Sequence, residues 1–350
     1  MRLRKRDLFL GAIFAVARPN RTRTFSLFLI TCSIATMTGY AHRTARAQQQ
    51  LPVIGLLSSV PFQTRVDQLS GFTQGLSETG FREGQNVLIE YRSANNELER
   101  LPGLASELVE RQVNVIVTIG GEIPIIAAKN ATPSIPIVFV SGNDPVRTRY
   151  VGSLNRPEGN LTGISFLVNL TVSKRLELLC EVAPKAKSIG MLVNPNNPNT
   201  LQATADAHAA GKVLGRNISV VPASTEQEID GAFAAFKHSN IDAILVEADP
   251  FLLAMREKIV GLVNSQRLPT MYSFREFPAI GGLMSYGASL ASAYRHAGVY
   301  AGRVLKGEKP AELPVAQPNN VYFVINNKAA IALGHELPPS LLARADEVIE

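Results

Sequence analysis

Six short loops hold side chains suited to hydrogen-bonding a small polar molecule. They are Ser58-Ser59, Gly120-Gly121-Glu122, Ser141-Gly142-Asn143-Asp144-Pro145, Asn194-Pro195-Asn196-Asn197-Pro198, Glu247-Ala248-Asp249-Pro250 and Tyr272-Ser273-Phe274-Arg275-Glu276. Their chemistry is recognition rather than bond-breaking: amides, hydroxyls, a few carboxylates and one arginine. Taken singly, each loop reads as turn formation and helix capping, because Asn, Asp and Ser before Pro start turns and helices generally. Six of them converging on one cleft would form a polar binding surface.

Catalytic signatures are poor by comparison. The stretch after the first apolar run is Gly55-Leu56-Leu57-Ser58-Ser59-Val60, not a dinucleotide fingerprint. No phosphate loop of the form G-x-x-x-x-G-K-[ST] occurs. Leu283 to Gly287 (LMSYG) resembles a nucleophile elbow, but Leu283 stands where the first glycine is required. His208, His238, His296 and His335 have no partner at i, i+4 and no neighbouring cysteine, so they read as surface or interface residues rather than metal ligands. No metal or cofactor is expected.

The elements that position these loops alternate regularly. Buried-strand runs lie at Val53–Leu57, Val87–Tyr91, Val115–Ile119 and Ile137–Val140, with helical stretches at Arg65–Glu78, Glu97–Arg111 and Ile123–Asn130. The pattern repeats with strands at Ser188–Val193, Ile218–Pro222, Ala243–Glu247 and Pro269–Ser273, and helices at Asn199–Leu214, Glu226–Lys237, Leu252–Gln266 and Ser289–Leu305. Continuous apolar strands between amphipathic helices predict parallel sheets covered on both faces, here as two α/β lobes. Extended pieces at 155–166, 281–287 and 314–326 read as three passages between the lobes. The reading places residues 48–162 with 287–318 in one lobe and 163–286 with 319–350 in the other. Ligands of such sheets sit off the carboxyl ends of the strands, where the six loops fall.

The first 47 residues differ in character. They hold nine Lys/Arg residues and one acid, an apolar run from Phe25 to Met37, a shorter one from Leu8 to Ala17, and the small-x-small sequence Ala45-Arg46-Ala47. The main run is short for a permanent membrane span, and the whole reads as a secretory signal cleaved before Gln48. A retained anchor and a lipoprotein signal at Cys32 are the competing readings. Removing these residues takes the formal charge from +6 to about −2. The basic balance therefore belongs to the leader, and nucleic-acid binding loses its support. Cys180 would then be alone, on the apolar face Val172, Leu176, Leu179, Cys180, and reads as a buried core thiol.

PVIGLLSS, GFTQGLSETGFREGQNVLIEYR, IPIVFVSGNDPV, SLNRPEGNLTGISF, KRLELLCEVAPKAK, LVNPNNPN and LLARADEVIE together resemble the ABC-transporter substrate-binding protein family related to tryptophan/tyrosine-binding periplasmic proteins. The resemblance covers nearly all of the chain after Gln48. It implies a type I periplasmic binding fold: two Rossmann-like lobes joined by three hinge crossovers, with a ligand trapped by closure. It also implies a periplasmic, non-enzymatic, monomeric protein that presents a small molecule to an inner-membrane permease. Carried over, the ligand-binding positions are Ser58, Ser59, Gly120, Gly121, Glu122, Asp144, Asn194, Asn196, Asp249 and Tyr272. By the resemblance, many relatives have Thr-Pro-Ala after the glycines, where this chain has Glu122-Ile123-Pro124. Glu122 either faces the cleft, where it disfavours a ligand carboxylate, or turns outward and stabilises the helix start. In the first case Glu122 and Asp144 suit an ammonium or a cationic ring better than a second carboxylate, Arg275 is the partner for an anionic group, and Tyr272 or Tyr286 stacks on an apolar ring. A receptor-docking sensor and a hydrolase using Ser285 are the alternative functions.

Overall fold

The computed structural model describes residues 51–318 and 320–350. The expected leader, with its cleavage site and Cys32, lies outside them. The first sheet is built from β1 (Val53–Ser58), β2 (Leu88–Ser93), β3 (Val115–Ile119), β4 (Ile137–Ser141) and β5 (Leu161–Ser165), all parallel in the order β2-β1-β3-β4-β5. Its helices are α1 (Val66–Glu78), α2 (Leu101–Glu110) and α3 (Glu122–Ala131). β1, β3 and β4 are apolar on both faces because helices cover both sides, so no hydrophobic alternation appears in them.

The second lobe begins with α4 (Val172–Val182) and continues through β6 (Ser188–Val193), α5 (Thr200–Leu214), β7 (Asn217–Pro222), α6 (Glu226–His238), β8 (Ala243–Val246), α7 (Pro250–Ala254), α8 (Arg256–Gln266), β9 (Thr270–Tyr272) and β10 (Met284–Ala288). α9 (Leu290–Leu305) returns to the first lobe. β11 (Val321–Asn326), α10 (Asn327–Leu333), α11 (Pro339–Leu342) and β12 (Glu347–Ile349) complete the second. The second sheet runs β12-β11-β10-β9-β8-β6-β7, parallel except for the antiparallel pair β10–β11. Its β7-β6-β8-β9-β10 part repeats the order of the first sheet. Each sheet therefore reverses its winding once, between β1 and β3 and between β6 and β8, which is where open α/β sheets open a crevice.

The apolar run at Leu252–Gln266 forms two helices rather than one, because the chain turns at Met255 between α7 and α8. α9 lies against α1 at glycine contacts: a Cβ on Gly75 would stand 1.8 Å from the Arg295 carbonyl oxygen, and one on Gly298 2.1 Å from that of Phe72. This packing fixes α9 in the first lobe although β10, just before it, belongs to the second sheet.

Three passages link the sheets, near 166–168, at 289 and ahead of β11. The sequence boundaries at 162 and 287 each cut through a strand, and whole-strand pairing moves them: β5 stays in the first sheet and β10 in the second. Leu167, at the first passage, takes φ +42°, a left-handed conformation that marks the sharp exit from the sheet. Cys180 is half-buried and packs against the second lobe's core, less enclosed than its helical face implies.

Candidate functional site between the lobes

The carboxyl ends of β1, β3, β6 and β8 face one another across a cavity, with Phe166 and Phe274 on its wall. The loops after these strands supply Ser59, Gly120, Gly121, Glu122, Asn194, Asn196 and Asp249, all of which line it. Five other expected positions do not. Ser58 is buried beneath the loop, its hydroxyl 2.6 Å from the Val60 carbonyl. Asp144 is exposed and accepts from the amides of Val146 and Arg147, so it caps a turn. Tyr272 is fully buried, stacked on Phe277 with ring centroids 4.3 Å apart, because its strand lies in the sheet centre. Tyr286 packs on Phe323. Arg275 is exposed and forms a two-pronged ion pair with Glu347 at 2.6 Å, outside the cavity. The anion partner and the stacking tyrosines expected from sequence are thus elsewhere in the molecule.

Glu122 turns inward, so the outward alternative is overturned; burial favours its neutral form and Oε1 is occupied by the loop after β4, so its expected exclusion of a ligand carboxylate is weakened. It is buried, and its Oε1 accepts from the Ser141 hydroxyl at 2.7 Å and from the amides of Gly142 and Asn143 at 3.2 and 3.3 Å. Burial raises its pKa above the usual carboxylate range, and the interactions with Ser141, Tyr150 and the backbone oppose that rise. One oxygen therefore ties the loop after β3 to the loop after β4. Among the described residues the other, Oε2, has no partner within hydrogen-bond distance, although the Tyr150 side chain acts on the carboxyl from nearby.

Gly120 and Gly121 take φ of +92° and +83°, which the entry into α3 requires. A Cβ on Gly120 would lie 2.2 Å from the Ser59 hydroxyl oxygen. That hydroxyl donates to the Gly120 carbonyl at 2.7 Å, and the Gly120 amide donates to Tyr294 of α9 at 3.3 Å. Gly121 faces Pro250 of the second lobe, whose ring would be 3.0 Å from an added Cβ.

The second lobe's wall is a closed polar network. Asp249 caps α7 by accepting from Leu252 N at 2.8 Å, and its other oxygen takes the side-chain amides of Asn194 and Asn197 at 3.2 and 3.0 Å. Behind it, the Thr200 hydroxyl oxygen lies 2.6 Å from the Asn194 carbonyl and 2.8 Å from both Glu247 oxygens. A carbonyl only accepts, so the Thr200 proton goes to Asn194 and a proton on Glu247 completes the second bond. Burial, then the charge of Asp249, pushes the Glu247 carboxyl up to about 8, in agreement with that proton count.

Several lining residues carried no signal as site residues in the sequence. Arg65 ends the short turn Phe62–Arg65, and at the start of a helix it reads as solvated; instead it is 3% exposed. Asn96 sits beyond β2, where the consecutive left-handed residues Asn95 and Asn96 are a legible turn signal. Phe274 and Asn197 lie within the six polar loops, and Phe166 just past β5. Phe166 and Phe274 meet edge to face, 6.5 Å between centroids at 74°. Arg175 of α4, on a face that otherwise reads as apolar, is buried behind the wall and donates to Ser273 and to the Val246 carbonyl. Ser285 is buried inside β10 rather than on a strand-to-helix turn, which removes the elbow context.

The family model for ABC transporter substrate binding protein matches residues 53–349. The chain belongs to that family. A curated relative, the tyrosine-binding protein of Clostridioides difficile, is 28% identical over 280 residues, covering 80% of each chain. Among solved structures, an ABC domain in complex with L-Trp from Streptococcus pneumonia aligns with 26% identity and TM-score 0.77, over 86% of this chain and 100% of that one. The ligand-free, open structure of a substrate binding protein with adhesive properties from Clostridium difficile aligns with 25% identity and TM-score 0.61, over 86% and 99%. The family member has the type I periplasmic binding fold, two parallel-sheet lobes linked three times. Members of the family are typically extracellular or periplasmic.

Proposed function

We propose that this protein is an exported solute-binding component of an ABC importer. It captures a small organic ligand, amino-acid-like or aromatic, between its lobes, closes over it by hinge motion and presents it to the inner-membrane permease without a catalytic step. The leader before Gln48 directs export and is removed, and the mature chain acts as a monomer. Ser59, Gly120, Gly121, Glu122, Asn194, Asn196 and Asp249 form the ligand's polar surroundings.

The observation that carries this reading is the pattern of unpartnered atoms. Arg65 Nε, Asn96 Oδ1, Glu122 Oε2 and Asn199 Oδ1 are all buried without a hydrogen-bond partner, and all four residues line the inter-lobe cavity. Buried polar groups in folded proteins are nearly always satisfied, and the grouping of four such exceptions on one cavity supports a ligand there. Hinge closure is supported by the two solved relatives: at matching identity and coverage, the chain superposes better on the L-Trp complex than on the open, ligand-free structure.

The test is a thermal-shift series on the protein beginning at Gln48, against amino acids, aromatic acids, amines and nucleosides. A ligand at about 100 times its Kd adds roughly 2.7 kcal/mol to folded stability. A shift confined to one chemical class, with a smaller radius of gyration in X-ray scattering, supports capture by closure. A folded protein, freed of carried-over ligand, that responds to no class refutes it.

A further inference from the structure

Arg65 is the cationic side chain lining the cavity, and it is buried to 3% exposure. It forms no ion pair among the described residues. Of its three nitrogens, Nη2 donates to the Pro250 carbonyl at 2.6 Å, while Nε is buried without a partner. Glu276 and Asp249 attract its charge, but neither lies within ion-pair distance of it, and both accept hydrogen bonds from other groups. Asp249 holds the Leu252 amide and the side chains of Asn194 and Asn197, and Glu276 accepts from Gln68 at 3.3 Å. Arg256, the other nearby cation, donates to the Thr64 and Leu253 carbonyls. A desolvated guanidinium with a vacant donor is costly unless an anion completes it.

Its position is as informative as its charge. Arg65 belongs to the first lobe, ahead of α1, and Pro250 begins α7 of the second. The Arg65–Pro250 bond therefore crosses the cleft, beside the contact of Pro250 with Gly121. Phe166, Phe274 and Val168 supply apolar surface on the same cavity. The guanidinium's planar fork suits a carboxylate.

We propose that Arg65 determines ligand specificity by pairing with a carboxylate on the ligand, and that this pairing holds the guanidinium in its bridge to Pro250. Anion recognition and lobe closure then share one side chain. The inference rests on the capture reading above and adds the residue and the ligand charge that the cleft selects.

The experiment compares matched probes that differ only at the acid: 3-phenylpropionate with 3-phenylpropanamide, and L-phenylalanine with L-phenylalaninamide. Binding is followed calorimetrically and closure by X-ray scattering, in the wild type, Arg65→Met, Arg65→Lys and Arg275→Met. In the wild type each acid should bind at least tenfold more tightly than its amide and compact the protein. Arg65→Met should erase that preference, Arg65→Lys should keep part of it, and Arg275→Met should match the wild type. Equal affinity for acid and amide in the wild type overturns the proposal while leaving capture intact, as does wild-type acid preference in folded Arg65→Met. Binding of phenethylamine alone does the same. Failure of every probe, the amides and amine included, counts against both readings. Should Arg65→Met not fold, the acid–amide ratio of the wild type and Arg65→Lys decide the matter.

Discussion

The two walls of the cleft solve the same problem in opposite ways. The second lobe's wall is satisfied from within: Asp249 binds a helix amide and two asparagines, and Glu247 shares its proton with Thr200. The first lobe's wall leaves Arg65 Nε, Asn96 Oδ1 and Glu122 Oε2 without partners, against Asn199 Oδ1 alone from the second. A satisfied network is rigid and indifferent to what approaches it; an unsatisfied one is selective. We infer that the first lobe discriminates among ligands and the second supplies a fixed surface on which it closes.

That contrast predicts where substitutions act. Asp249→Ala removes a helix cap and orphans two asparagine amides, so it should lower folding stability by ~2–4 kcal/mol in urea denaturation. A stable variant with altered ligand preference would reverse the assignment of roles. Gly120→Ala tests whether the first wall is itself held rigidly. With φ at +92° and a Cβ 2.2 Å from the Ser59 oxygen, it should cost ~1–3 kcal/mol and weaken ligand binding.

Glu247→Gln sharpens the comparison through pH. The folded carboxyl titrates at about 8 against an ordinary 4.5, so between those values the folded state keeps a proton that the unfolded chain has released. Stability from this group is complete below about 4.5 and is lost as pH rises through 8. Glutamine mimics the protonated acid. The variant should therefore match the wild type near pH 5 and exceed it by ~1 kcal/mol or more at pH 9. Parallel stability curves at both pH values would place the proton elsewhere. The smallest effect belongs to Arg275→Ala, which breaks an exposed pair with Glu347 and should change stability by under ~1 kcal/mol and ligand affinity not at all.

The alternation of strands and helices was legible because period and length are local properties: β3 and β6 have the bounds their apolar runs imply. So was the placement of polar loops, since strand polarity alone sends Ser59, Gly120, Asn194 and Asp249 to one end of each sheet. The individual tyrosines and arginines were not. Tyr272 and Tyr286 look equally available in the sequence, yet one is stacked in a sheet centre and the other rests on Phe323. Arg275 sits in a loop that borders the cleft through Phe274, but the chain turns there after β9, and Arg275 leaves the cleft to face Glu347.

Sequence alone determined the two-lobed α/β plan and the identity of the loops at the strand ends, because hydrophobic periodicity is written along the chain. Tertiary structure decided which charges remain free. Whether Glu122 meets a ligand or its own neighbour's amides depends on how the β3 and β4 loops approach each other. Whether Arg65 is solvated or enclosed depends on a second lobe that begins about a hundred residues later. Contacts between residues so distant in the chain leave no periodic trace, and in this protein they set the chemistry of the cleft.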